Sequence, residues 1–529
     1  MMRTTADALA EAIASAGTRH VFGISGGEVL LLMDALARAG VRFIGTRHET
    51  AAGFMAEGTW HAQGTVGVML GTVGPGATNG VNAVANARQD RVPLLVITGS
   101  IDEGERFAYT HQWLDQRALF APITKASFTL VPEAADEIVA RAIALALAHP
   151  QGPVHLDVPV GLARAAAPKR PAPSRTPARV GHAALSDVRE RLARAERPLV
   201  IAGLDALDAS APLRALLDAT SAPLITTYKA KGVIDERDAR ALGAAGLSPS
   251  ADKLLLPLVQ SADVVILAGY DPIEMRRGWI EPFGSDAFVI ECTPSHLQHG
   301  VHTSTLIAVG DVQETLRAIT PSASAASSAW QERALQVRTA LRQTFAAGGD
   351  FDPRAIAHAI RATWPDEGFV SVDTGAHRIV FNQAFEARVP HRIVQSSGLC
   401  TMGCAVPLAI GIAVATDEPV LAVVGDGGLD MVLGELLTAR DLNVPLVVVV
   451  IDDQSLGLIA LKQARDGLPR LGVDLGATRY ADVANAMGGH GVRAESQAAL
   501  ERAILDARTR GGLTVIHCPI SKSAYEDVL

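Results

Sequence analysis

Short apolar runs rich in β-branched residues alternate along this chain with stretches whose apolar residues recur every three or four positions. The first kind reads as strands buried on both faces, the second as helices packed along one stripe. In the N-terminal part, residues 65–70 lead into a glycine turn, Gly71-Thr72-Val73-Gly74-Pro75-Gly76, then a helical stretch and an apolar strand at 92–97. In the C-terminal part, residues 419–424 lead into a turn at Gly425, a helical stretch at 429–440 and an apolar strand at 445–451. Both parts close on similar strands, 152–157 and 512–517. The echo predicts two copies of one doubly wound layout. The Pro/Ala/Arg-rich segment 165–181 and the Pro/Ser/Ala segment 320–328 lack this periodicity and read as linkers. They divide the chain into 1–165, 182–320 and 350–529, and the middle piece repeats the alternation. The expected fold class is α/β, with three doubly wound domains built on parallel sheets.

The length of 529 residues agrees with several domains, since single cores stop growing near ~250–300 residues. Apolar residues make up 48% and aromatics only 4%, which suits packed α/β layers rather than a disordered or fibrous chain. A net charge of −9 with scattered basic residues gives no footprint for nucleic acid. The four cysteines form no CxxC and are too sparse for a disulfide framework, so a reducing cytoplasm is expected. The start, Met2-Arg3-Thr4-Thr5, opens an amphipathic helix without a signal-type apolar core. No apolar run approaches the ~20 residues that span a bilayer, so no membrane partner is expected.

Gly425-Asp426-Gly427-Gly428 is followed by Asp452-Asp453-Gln454-Ser455, with Asp453 27 positions after Asp426. The intervening helix and strand put both carboxylates at the carboxyl ends of parallel strands, where open α/β sheets hold ligands. Two carboxylates beside a glycine turn at a helix N-terminus suit a divalent cation bridging to a diphosphate. Ordinary acidic loop ends are the plainer alternative. The spacing resembles the signature of thiamine-diphosphate-dependent enzymes, a Gly-Asp-Gly turn followed at about this distance by Asn-Asn. Here Asp452-Asp453 replaces that pair. An aspartate still ligates magnesium, but its charge beside a diphosphate makes the metal more necessary. The resemblance implies thiamine diphosphate and Mg2+ as cofactors, with Asp426, Asp453 and Ser455 at the metal. It also implies Gly425, Gly427 and Gly428 under the diphosphate, and Leu456, Gly457 and Leu458 along the cofactor.

Residues 41–44 read as a strand ending in Arg47-His48-Glu49-Thr50, where a helix begins. A carboxylate in a first helical turn complements the macrodipole, and capping is its ordinary reading. The segment resembles the one carrying the activating glutamate of the same family. That implies a Glu49 in a dry site, protonating the aminopyrimidine so that its imino tautomer removes the thiazolium proton. Gly74-Pro75-Gly76-Ala77-Thr78-Asn79 resembles a loop of acetolactate synthase relatives, implying Pro75 and Asn79 beside the pyrimidine. Ser397-Gly398-Leu399-Cys400-Thr401-Met402-Gly403 resembles the segment that grips the aminopyrimidine. There the Cys400 carbonyl would accept from the exocyclic amine and Met402 would bend the cofactor, although a methionine in an apolar stretch is usually core filler. Asp373-Thr374-Gly375-Ala376-His377 follows another buried strand, and Thr374, Gly375, Ala376 and His377 are expected to face the diphosphate.

On the substrate side, Tyr109-Thr110-His111-Gln112 stands 13 positions, counted from Gln112, before Lys125, as in the acetolactate synthase pattern. The His-Gln pair and the segment 268–274 resemble the catabolic branch, which implies no required FAD. His111 and Gln112 are expected to orient the substrate and to act with Glu49; the alternative is two polar residues at a helix start. Gly26 and Gly27 align with the loop beside the thiazolium, where Ser25 and Glu28 depart from the pattern and leave acceptor specificity open. Leu458 and Lys462 fall on the helix expected to shape the substrate pocket, unless Lys462 simply faces solvent. The resemblance implies decarboxylation of a 2-oxo acid with carboligation to a second carbonyl compound. A simple decarboxylase or C–C lyase releasing an aldehyde shares most of these residues. An FAD-linked oxidase and a non-catalytic sensor are the alternatives of other classes. In the family the glutamate and the diphosphate turn meet across subunits, implying a homodimer or homotetramer.

Overall fold

The computed structural model describes residues 2–108, 110–170, 185–295 and 299–529. Three six-stranded sheets, each wholly parallel, carry the fold. The first consists of β1 (His20–Gly23), β2 (Arg42–Gly45), β3 (Gly67–Gly71), β4 (Leu94–Ser100), β5 (Ser127–Thr129) and β6 (Val154–Pro159), in the order β2-β1-β3-β4-β6-β5. The central sheet consists of β7 (Pro198–Ala202), β8 (Leu224–Thr226), β9 (Ala241–Ala244), β10 (Val264–Ala268), β11 (Phe288–Thr293) and β12 (Leu306–Val309). Its order, β12-β11-β10-β7-β8-β9, reverses direction between β7 and β10, as doubly wound sheets do. The third contains β13 (Val370–Val372), β14 (Ile393–Gln395), β15 (Val420–Gly425), β16 (Leu446–Asp452), β17 (His490–Arg493) and β18 (Leu513–Pro519). Its order, β14-β13-β15-β16-β18-β17, repeats that of the first sheet strand for strand. The echo in the apolar runs is therefore one winding used twice.

Strands read as continuously apolar because each serves two cores. Val423, Val449 and Ile451 face one hydrophobic cluster while Ala422, Val424, Val448 and Val450 face another. The first and third sheets are joined through two helices, Glu49–Gln63 and Ala405–Thr416. Their approach depends on Gly58 and Gly411, where an added Cβ would lie 2.4 Å from the Leu408 carbonyl oxygen and 2.0 Å from that of Met55. The same contact brings the Arg47–Glu49 loop against the third sheet's domain.

Two local expectations change. The helical stretch at 429–440 is two helices, Asp426–Val432 and Glu435–Leu442, broken around Gly434. Glycine weakens a helix interior, and the break turns Glu435 toward the Arg47 and His48 amides, each donating to its Oε1 at 3.0 Å. The segment 320–327 is irregular as expected, but Ser327 caps a long helix, Ser328–Thr344, that packs Trp330 and Leu341 under the central sheet. Of the other expected linker, 165–181, residues from 171 onward lie outside the described residues, as does Tyr109. Among the described residues no helix is long and apolar enough to cross a membrane.

Candidate active site

β15 ends at Gly425 and a helix starts on the next residue, so Asp426 sits at a helix N-terminus with Oδ1 accepting from the Gly427 amide at 2.8 Å. Asp453 follows the end of β16. The Ser455 amide donates both to Asp426 Oδ2, at 3.2 Å, and to Asp453 Oδ1, at 3.1 Å, so the two carboxylates converge on one point. All three residues are buried. Burial, reinforced by the charge of Asp453, holds Asp426 above the usual carboxylate range, and burial does the same to Asp453. Asp452 pairs with the buried His517, Oδ2 to Nε2 2.7 Å, and its charge adds to the upward push on Asp426 and Asp453. Of the Asp-Asp pair, Asp453 shares the Ser455 amide with Asp426, while Asp452 is held by His517. The Ser455 hydroxyl accepts from Arg470 Nη2 at 2.7 Å.

The floor of this site is made of close approaches. An added Cβ at Gly427 would meet Leu456 Cδ2 at 3.1 Å and Met402 Cε at 3.6 Å; at Gly457 it would meet Asp453 Oδ2 at 2.4 Å. At Gly428 it would fall 2.0 Å from Asp373 Oδ2, and at Gly425 3.2 Å from the His377 ring. Buried Asp373 accepts from the Gly403 and Cys404 amides, both at 2.9 Å, and so fixes the turn that carries Met402. Cys400 holds a positive φ of 56° within that turn, with Arg378 Nη2 3.2 Å from its sulfur. Ala376 and His377 open a helix next to Gly375. Burial, with Arg378 alongside, pushes His377 down to about 3. Its Nε2 and the Thr374 hydroxyl have no hydrogen-bond partner among the described residues.

A second group gathers at the ends of the first sheet. Glu49, buried, is the first residue of its helix and its Oε2 accepts from Asn79 Nδ2 at 3.0 Å. Asn79 lies in the helix Pro75–Gln89, which follows Gly74 at a φ of 68°. An added Cβ at Gly74 would lie 2.4 Å from the Gln112 carbonyl oxygen, so the Gln112 backbone rests on the Pro75 turn. His111 and Gln112 are exposed and belong to a turn; the helix they were expected to start begins later, at Gln116. Gly26 packs on Thr72, while Gly27 has open space. Leu458 is partly buried and Lys462 is exposed, in the last turn of the helix Gly457–Arg465. No hydrogen bond or ion pair joins Glu49 to Asp426 or Asp453 among the described residues.

Comparison with known proteins decides what these groups belong to. Residues 3–119 match the model for the N-terminal TPP binding domain of thiamine pyrophosphate enzymes, 185–319 the central domain, and 373–518 the C-terminal TPP binding domain. The chain belongs to the thiamine pyrophosphate enzyme family. It is 34% identical to the probable 2-ketoarginine decarboxylase AruI of Pseudomonas aeruginosa, over 89% of this chain and 85% of the relative. It is 29% identical to the acetolactate synthase of Bacillus subtilis, over 98% and 93%, and 30% identical to the probable acetolactate synthase large subunit of Methanocaldococcus jannaschii, over 86% and 81%.

Thiamine diphosphate is accordingly the cofactor of this thiamine pyrophosphate enzyme, and the residues present fit it. Two desolvated carboxylates, with no ion-pair partner among the described residues, stand beside a Thr374 hydroxyl and a His377 nitrogen that have no hydrogen-bond partner there, over glycines that crowd or exclude a side chain. Sequence reading missed the supports. Gln116 Oε1 accepts from the Gly74 amide at 3.1 Å, and its Nε2 donates to Gly99 O and Asp157 Oδ1 at 2.9 and 3.0 Å. Glu435 and Asp373 were likewise not singled out for their roles, because nothing local in the chain announces a partner tens or hundreds of positions away.

Proposed function

We propose that this enzyme uses magnesium with thiamine diphosphate to decarboxylate a 2-oxo acid and join the remaining fragment to a second carbonyl compound. The observation that carries the reading is the convergence of buried Asp426 and Asp453 on the Ser455 amide, beside unsatisfied Thr374 and His377. Asp426, Asp453 and Ser455 would hold Mg2+, an oxygen-seeking cation that neutralises the two carboxylates. Thr374, Gly375, Ala376 and His377 would meet the diphosphate, with Gly425, Gly427 and Gly428 allowing its approach. Cys400, Met402, Leu456, Gly457, Leu458 and Pro75 would line the rings. When bound, the cofactor supplies a carbon nucleophile and an electron sink for the substrate's carbon skeleton.

The chain's own part is to place protons and exclude water. Glu49, oriented by Asn79, would hold a proton against the pyrimidine ring nitrogen. His111 and Gln112, exposed in one chain, would orient the substrate carboxylate, and Gly26 and Gly27 would leave it space. Lys462, exposed, is the weakest member of this set. Among the described residues no hydrogen bond or ion pair joins the two groups, and Leu30, Met431, Ile459, Leu468 and Leu471, near their members in sequence, are exposed apolar residues. A homodimer in which one subunit's Glu49 faces the other's Asp426 would unite the groups and cover this surface.

A second reading, aldehyde release without carboligation, is favoured by Glu28. This partly buried carboxylate shares the loop of Gly26, where a cationic substrate tail would find a counter-charge, and one relative is named a 2-ketoarginine decarboxylase. The deciding experiment supplies thiamine diphosphate, Mg2+ and 2-oxo acids with neutral or guanidinium tails, with and without carbonyl acceptors. Carbon dioxide together with a coupled product supports carboligation, and an aldehyde from a guanidinium substrate alone supports the second reading. No carbon dioxide from any substrate would refute both. A yellow protein needing an oxidant would point to the oxidase class instead.

A further inference from the structure

The central sheet contains a polar cluster that the reaction above does not use. β11 lies second from the sheet edge, and on the face it shares with buried Val289 the next residue is Glu291, 2% exposed. The loop returning to edge strand β12 folds over that carboxylate. Ser304 Oγ donates to Glu291 Oε2 at 3.1 Å, and His302 Nε2 stands 3.7 Å from the same group, with its side chain 1% exposed. The His302 ring is enclosed by Tyr270, Phe283 and His299, at centroid distances of 5.6, 5.5 and 4.6 Å. Neither nitrogen of His302, nor Glu291 Oε1, has a hydrogen-bond partner among the described residues. Buried polar atoms are rarely left so. One ring nitrogen from each of His299 and His302 and one oxygen of Glu291 lie within 4.8 Å of one another.

We propose that Glu291, His299 and His302 bind a divalent cation of the zinc class, at a site separate from the catalytic centre. An ion pair between His302 and Glu291 would leave the second imidazole nitrogen and Oε1 bare. A cation draws on lone pairs from both residues and balances the buried negative charge. Two imidazoles and a carboxylate are the donors of a borderline cation, whereas magnesium prefers oxygen alone. The Val301 amide donates to His299 Nδ1 at 3.3 Å, a long hydrogen bond that coordination through Nε2 leaves in place. The ligands come from β11 and from the loop into β12, so the cation fastens the edge of the central sheet. With three protein ligands, a fourth position is left for water.

The test uses the full-length enzyme without an affinity tag, stripped with chelator and then saturated with thiamine diphosphate and excess Mg2+, which occupies the catalytic site. Metal analysis after Zn2+ addition and gel filtration should find one zinc per chain. Co2+ should give visible absorption of low-coordinate cobalt that Zn2+ abolishes, and Zn2+ should raise the thermal midpoint where further Mg2+ does not. His299→Ala, at a half-buried loop position, should keep the turnover rate yet weaken zinc at least about tenfold, the low end of what losing even an outer partner costs a metal site. Glu291→Gln serves as the second variant, with the same cobalt readout. Zinc bound below stoichiometry, or bound equally by wild type and both variants, would overturn the proposal.

Discussion

Asp426 and Asp453 meet at one amide yet should respond differently to substitution. Asp426 begins a helix and is bound at both oxygens, to the amides of Gly427 and Ser455. Asp426→Ala removes a proposed cation ligand, so cofactor binding measured by calorimetry with Mg2+ should fall at least about a hundredfold. Asp453→Asn keeps an oxygen donor and sheds one buried charge, and should retain at least about a tenth of the wild-type turnover. Glu49→Gln should cut turnover by about a thousandfold, within the usual reach of acid–base catalysis, while thiamine diphosphate still binds. A Glu49→Gln enzyme with normal turnover would dismiss the proposed proton role. These three residues were legible in the chain because their signals are local, a strand end, a glycine turn and a helix start within a few positions. The pairing of Asp452 was not, because its partner His517 lies 65 positions away.

At the scale of elements, the windings were readable because strands buried on both faces stay apolar throughout, and glycines mark where they end. The break at Gly434 was not readable, since it depends on amides in another domain. Glu435 receives the Arg47 and His48 amides immediately before Glu49 and is anchored by Thr438 Oγ1 at 2.7 Å. Glu435→Ala frees the loop that aims Glu49, so turnover should drop roughly tenfold with little change in cofactor affinity, as misplaced catalytic groups do. Glu435→Gln retains an acceptor and should restore most of the rate. Equal losses in both variants would show that the charge, not the anchoring, matters. Gly411→Ala probes the helix contact behind the same loop. Its methyl must push into the Met55 backbone, and a stability loss of about 1–3 kcal/mol is expected from chemical denaturation.

Across the whole molecule, charges tie the three sheets together. Asp90 accepts from the Gly398 amide at 2.6 Å and lies 3.4 Å from Lys229 Nζ, so one carboxylate of the first domain touches the other two. Asp205 lines the cleft where the three domains meet, together with Asp90, Arg91 and His149. Burial, then the charge of Asp271, pushes it up to about 7. The folded chain therefore binds a proton that the unfolded chain has released between the ordinary carboxylate range and neutrality, and stability is lost as pH rises through that window. Asp205→Asn should match wild type in acid and exceed it above neutrality, by about 2 kcal/mol after allowing for partial water access. Thermal midpoints at pH 5 and 8 read the difference, and a variant equally shifted at both would exclude Asp205 as the cause. The largest-scale prediction concerns the unit of activity. If a working site takes Glu49 from one chain and Asp426 from another, two inactive variants can repair each other. A mixed dimer of Glu49→Gln and Asp426→Ala chains holds one site with both defects and one with neither. Random reassembly makes half the dimers mixed, so about a quarter of wild-type activity should return. A site built within a single chain has no such rescue, and mixtures that stay inactive after proven subunit exchange would show that Glu49 and Asp426 do not meet across an interface.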